Sequence, residues 1–190
     1  MGFLDTLLGR TKPAAANLDA LFALPGAALT LQAGTDFTPT GCGSVCFRAV
    51  EGRAFGDIEK DVRELLSMGA DKQSVEVSTD SFGFTWLVCR HDPSDPEGLV
   101  TDLHAVNSSL EAGGFGPQLL CTIMAFRDSA GRSLGLVYLY KRGTFYPFAP
   151  QSGEHRDNAL ELQVRGALGD DLKVEPELGR WFPVWGAPGL

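Results

Sequence analysis

Apolar positions along the chain follow two periods, and the switches between them mark its elements. Over residues 54–68, Phe55, Ile58, Val62, Leu65 and Leu66 recur at i, i+3, i+7, i+10 and i+11. Asp57, Glu59, Lys60, Asp61, Arg63 and Glu64 fill the gaps. This predicts an amphipathic helix with one solvated, charged face. A second helix starts at Ser94-Asp95-Pro96-Glu97. Asp95 suits the N-cap, Pro96 the first helical position, and Glu97 the positive end of the dipole. Leu99, Leu103, Val106 and Leu110 then keep one face apolar until Gly113-Gly114 ends the helix. A third is predicted over 155–168, where Leu160, Val164 and Leu168 sit at i, i+4 and i+8. Upstream, Asn17 can cap a short helix over 18–23 that Pro25 stops. Phe3, Leu4, Leu7 and Leu8 share one side of an N-terminal amphipathic segment, residues 1–10.

Between these lie segments with the strand period. Residues 28–32 read as an edge strand, 35–43 as a loop holding Pro39, Gly41 and Gly43, and 45–50 as a strand. Residues 75–79 and 82–91 read as a hairpin; Phe84, Trp86 and Val88 alternate, while Leu87 and Cys89 imply cover on the other face too. A second hairpin joins 118–127 to 133–141 through Asp128-Ser129-Ala130-Gly131, and both its strands are apolar on both faces. Two hairpins separated by helices predict an α+β fold, a mostly antiparallel sheet with helices packed on it. The organisation expected is one domain over 1–190, with the N-terminal segment and an aromatic, Pro- and Gly-rich C-terminal tail at 175–190 as appendages.

Composition narrows the function classes. A chain of 190 residues can bury a core without disulfides. The net charge of −8 argues against nucleic acid and anionic lipid, which need clustered Lys and Arg. Local basic spots remain at Lys141-Arg142 and His155-Arg156. No signal-peptide pattern opens the chain, and no stretch approaches the roughly 20 apolar residues of a membrane span. The expectation is a cytoplasmic protein whose four cysteines are reduced. Cys42, Cys46, Cys89 and His91 are zinc-ligand types, but they lack a C-x-x-C pair, and apolar strands favour core thiols. No nucleophile elbow, phosphate loop or dinucleotide fingerprint is present, so no catalytic group, metal or cofactor is expected.

The most distinctive chemistry follows the strand 134–141. Phe145, Tyr146 and Phe148 crowd a segment stiffened by Pro147 and Pro150, with Tyr138, Tyr140 and Arg142 before it and His155, Arg156, Asp157 and Asn158 after it. Aromatics with Arg have the composition of an interaction hot spot. The same residues would equally serve to cap the sheet. Trp181 and Trp185 in the tail carry the same two readings. These twelve residues are the candidate partner-binding set. A cleft near Tyr140, Arg142 and His155 would instead point to a small-ligand or enzymatic domain.

Several stretches together resemble the PspA-associated protein B (PspAB) family. They are MGFLDTLLGR with LDALFALP, GSVCFRA, FGFTWLV with GLVTDLHAVNSSLE, LVYLYKRGTFYPFAP, RDNALELQVRGALGD and RWFPVWGAPGL. The resemblance runs nearly end to end. It implies a non-enzymatic accessory role in a bacterial phage-shock-type envelope stress response, with PspA, a coiled-coil membrane-remodelling protein, as partner. Membrane contact would then be at most peripheral, at the inner membrane through that partner. The helix order also resembles the secretion-chaperone-like fold, whose members often act as dimers; that likeness speaks to fold and not to function.

Overall fold

The computed structural model describes residues 16–48, 56, 60, 64 and 75–190. The N-terminal segment 1–10 and most of the helix expected over 54–68 lie outside them. Gly56, Lys60 and Glu64, spaced four apart, are helical and exposed, as the polar side of that helix requires.

The first described element is a 3-10 helix, Leu18–Ala23, that runs directly into α1, Leu24–Thr35. Neither the stop at Pro25 nor an edge strand over 28–32 is seen. Pro25 falls in the first turn of α1, where its missing N–H costs nothing. Leu24, Ala27, Ala28 and Leu31 then form a buried helical stripe. Asp36, left-handed at φ 65°, ends it. Strand β1 follows at Thr38–Arg48 and includes most of the expected loop. Gly41 makes this possible: its φ is +73°, and a Cβ there would sit 2.1 Å from the His91 carbonyl oxygen. The register against the neighbouring strand shifts between Pro39 and Gly43, so the turn-like residues are absorbed as a bulge.

The remaining strands are β2 (Glu76–Thr79), β3 (Phe84–Arg90), β4 (Leu119–Arg127), β5 (Ser133–Leu139), β6 (Thr144–Phe148) and a small pair, β7 (Pro150–Gln151) with β8 (His155–Arg156). The main sheet has the order β2-β3-β1-β4-β5-β6, and every pairing in it is antiparallel. Both expected hairpins form. Helix α2 spans Pro96–Ala112, and the Asp95 side chain accepts from the Gly98 N–H at 2.9 Å. Helix α3 spans Asn158–Leu168, three residues later than expected at its start, because Asp157 is the residue that caps it.

Helices α1, α2 and α3 pack on one face of the sheet. Their stripes meet Val45, Phe47, Leu87, Met124, Phe126 and Leu136, which point to that side of their strands. Side chains alternate, so Cys46, Trp86, Cys121, Ile123, Val137 and Tyr146 point the other way. No helix among the described residues covers them. The C-terminal tail does: Trp181 and Ala187 are buried against that face, with Trp185 and Leu190 partly buried beside them.

Candidate functional site: an apolar cleft under the C-terminal tail

The crowded aromatic segment is a strand. It is β6, and all five of its residues are buried. The chain reverses tightly just before it, with Gly143 at φ +64° and its N–H bonded to the Leu139 carbonyl at 2.9 Å. Phe145 faces the helices, its ring 5.0 Å from that of Tyr138. Tyr146 and Phe148 face the tail: Tyr146 stacks on Trp181 at 6.0 Å, and Phe148 meets Trp185 edge-on at 4.9 Å. The outer edge of β6 is partly paired, since the Phe145 N–H donates to Lys173 and its carbonyl accepts from Glu175.

The polar members of the set mostly hold the tail in place. Arg142 Nε donates to Glu175 Oε2 at 2.6 Å, and Thr144 Oγ1 donates to the same oxygen at 2.9 Å. Burial would raise the Glu175 carboxyl, but these bonds and the Glu177 N–H hold it below the ordinary carboxylate value. Arg156 Nε pairs with buried Glu161, and its Nη1 donates to the Trp181 carbonyl at 2.6 Å. Asp157 caps α3, Asn158 opens it exposed, and His155 is exposed on β8. Tyr138 and Tyr140 are buried on the helix side. Burial, then the nearby Glu111 carboxylate, pushes both phenols up to about 12. Tyr138 Oη donates to the Asn17 carbonyl at 2.7 Å. Tyr140, Arg142 and His155 are therefore not brought to one cleft: Tyr140 packs on the helix face, and His155 lies beyond the opposite end of β6 from Arg142.

A cleft of about 690 Å³ does exist, on the tail side at the end of the sheet where β1 finishes and β5 turns into β6. Its floor is Cys46, Trp86, Cys121, Leu139 and Tyr146. Phe82 and Phe182 form its lips, 52% and 59% exposed, with Trp185 between floor and rim. Arg48, Lys141, Arg142 and Arg180 stand around it. Of the twelve expected residues, Arg142, Tyr146 and Trp185 line it, and Trp181, Phe148 and Arg156 support the tail that forms its wall. Sequence reasoning missed Arg48, Phe82, Arg180 and Phe182. The run Phe82, Phe84, Trp86 at period two was the available signal for the first lip.

Several titratable groups of this cleft are engaged in structure. Asp80 accepts from the Phe82 and Phe84 N–H groups at 2.9 Å each and from Trp86 Nε1 at 2.8 Å, closing the β2–β3 turn. Cys46 and Cys121 face each other across β1 and β4. The hydrogen bond between them, then burial, raises the Cys46 thiol. Cys89 lies on the other face, pushed up to about 12 mainly by burial. His91 is held by two carboxylates, Asp95 at 3.0 Å and Asp102 at 2.8 Å. The zinc-type residues are thus on different faces, and among the described residues no group of three or more His, Cys, Asp or Glu is placed to hold a metal. Nor is any described helix long and apolar enough to cross a membrane.

No curated protein and no solved structure matches the chain significantly. The family model described as PspA associated protein B matches residues 1–189, essentially the whole length. The chain carrying this tail-walled cleft therefore belongs to the PspA associated protein B family.

Proposed function

We propose that this protein is a non-enzymatic adaptor, or chaperone-like accessory, of a phage-shock-type envelope stress response. It acts in the cytoplasm and reaches the inner membrane only peripherally, through a protein partner such as PspA. Family membership links it to PspA. The observation that carries the binding reading is the cleft: two phenylalanines more than half exposed stand at the mouth of an apolar trough. Monomeric proteins rarely expose grouped large apolar side chains without a partner for them. Aromatic and Arg side chains around a desolvated floor are the composition of interface hot spots. Of the expected partner-binding residues, Arg142, Tyr146 and Trp185 contact the partner in this reading. Tyr138, Tyr140, Phe145, Phe148, Arg156, Asp157 and Trp181 keep the cleft in shape, and His155 and Asn158 lie outside it.

The test is a titration of the purified protein with PspA from the same host, repeated with Phe82→Asp and Phe182→Asp. Both side chains are exposed, so the variants should fold. Loss of PspA binding in the folded variants is the expected result. Unchanged binding in both would remove the cleft as the partner site. The volume also lies in the range of small-ligand pockets. Native mass spectrometry showing a retained small molecule, displaced by Trp185→Asp, would favour a ligand-binding role instead.

A further inference from the structure

The shape and charge of the cleft say what kind of segment it takes. Its floor crosses five consecutive strands, with Trp86 from β3, Cys46 from β1, Cys121 from β4, Leu139 from β5 and Tyr146 from β6. At about 4.8 Å per strand interval that is a trough roughly 19 Å long. An α-helix covers this length in about 13 residues. The walls are apolar, and the mouth is open between Phe82 and Phe182.

The charge around it opposes that of the whole protein. The chain carries −8, yet among the described residues the cleft is lined by Arg48, Lys141, Arg142 and Arg180 against one acid, Asp80. Asp80 is occupied by Trp86 and two backbone N–H groups. Arg142 and Arg180 already face Glu175 and Glu177. Arg48 and Lys141 are exposed and have no ion-pair partner among the described residues. They stand at the ends of β1 and β5, two strand intervals or about 10 Å apart. That separation matches carboxylates at i and i+7 along one edge of a helix, about 10.5 Å apart. A single lipid headgroup would need the cations gathered at one point, and these are spread along the trough.

We infer that the cleft receives an amphipathic helical segment of a partner protein, with apolar side chains on one face and carboxylates along its edge. Leucine- or phenylalanine-type side chains fill the floor, and the carboxylates meet Arg48 and Lys141. This rests on the adaptor reading above and adds the chemistry of the recognised segment. Charge pairs of this exposed kind set approach rate and orientation more than total affinity, so the apolar face supplies most of the binding.

The experiment uses the full chain and two synthetic helices of about 15 residues, each with leucines on one face. One carries glutamates along the edge, and the other carries lysines at the same positions. Binding is read from tryptophan emission, since Trp86 and Trp185 both line the cleft. The glutamate peptide should bind about ten-fold more tightly, and raising salt from about 50 to about 500 mM should shrink that preference. In the double variant R48E/K141E the preference should invert, while F182D should weaken both peptides. Equal affinities for the two peptides, or a glutamate preference unmoved by R48E/K141E, would overturn the inference. So would binding of anionic phospholipid vesicles that depends on Arg48 and Lys141 while neither peptide binds. If PspA binding is lost in F182D but is indifferent to R48E/K141E, the adaptor reading stands and the acidic-segment inference fails. PspA binding indifferent to F82D and F182D would remove the adaptor reading itself.

Discussion

The two faces of the sheet are closed in different ways. On one side, three helices present stripes of Leu, Val and Ala, and most of what they bury is aliphatic or aromatic carbon. The buried Asn107 is one polar exception; its Nδ2 donates to the Leu103 carbonyl and to Thr122 Oγ1, tying α2 to β4. On the other side an irregular tail lies over thiols, Trp86 and Tyr146. A helix satisfies its own backbone, so it can seal a face with side-chain carbon alone. An irregular segment has to find partners for its peptide groups elsewhere. Here Arg156 bonds the Trp181 carbonyl, Tyr146 the Phe182 carbonyl, and Trp181 Nε1 the Glu175 carbonyl. Such discrete pins hold the tail at points, and between them the sheet is left with an open trough.

This contrast can be tested by breaking each side in turn. Phe126→Ala, at a fully buried position on the helix-covered face, should cost about 4 kcal/mol through lost burial and the cavity left behind. Urea unfolding followed by circular dichroism would show it as a lower midpoint with cooperativity kept. Arg156→Met removes the pin on the Trp181 carbonyl and leaves Glu161 buried without its cation. Its expected cost is about 3 kcal/mol. The tail should become protease-sensitive near Trp181 and the tryptophan emission should move red, while the helical signal persists. Loss of helix and tail in one transition would instead mean that the two faces form a single cooperative unit.

A smaller effect concerns His91, which joins the end of β3 to α2. Burial works against its protonation, but the hydrogen bonds it donates to Asp102 and Asp95 prevail, and its pKa is raised above the ordinary 6.5. A raised folded value means the protonated form is stabilised by folding. That contribution is complete below pH 6.5 and is lost as pH rises through the folded pKa. The melting temperature should therefore decline as pH is raised from 6.5 through that value, and His91→Gln should flatten the decline. A decline of equal size in the variant would assign it to other groups. The smallest structural effect is expected at the cleft mouth: Phe182→Asp, at an exposed side chain, should change stability by less than about 0.5 kcal/mol. Its consequence should appear in PspA binding alone.

Much of the helix-covered face was legible in the sequence because periodicity reports burial directly. The stripe of α2, its cap at Asp95 and both hairpins follow from residue spacing and turn chemistry. The misreadings lie where one residue carries two meanings. Pro25 ends a helix in one context and opens one in another, and only the stripe Leu24, Ala27, Ala28 and Leu31 packing on the sheet decides for the second. Gly41 and Pro39 have loop character, yet His91 crossing close to Gly41 draws them into β1 as a bulge. The segment 144–148 has the composition of an exposed hot spot. It is instead buried between Tyr138 on one side and the two tail tryptophans on the other.

Local sequence by itself determined the α+β class, the order of the main helices and hairpins, the cap at Asp95, and the crowding of aromatics beside Lys141-Arg142. Those features depend on neighbours within a few positions, where propensity and periodicity act. The tertiary structure alone decided that the tail lies across the sheet, that Glu175 and Glu161 are the acids that hold it, and that Arg48, Phe82, Lys141 and Phe182 meet around one cleft. These residues are separated by scores of positions, from 48 to 182, and nothing local couples them. They come together because every strand turns alternate side chains to a face that no described helix covers, and the tail that covers it is too irregular to fill the whole of it.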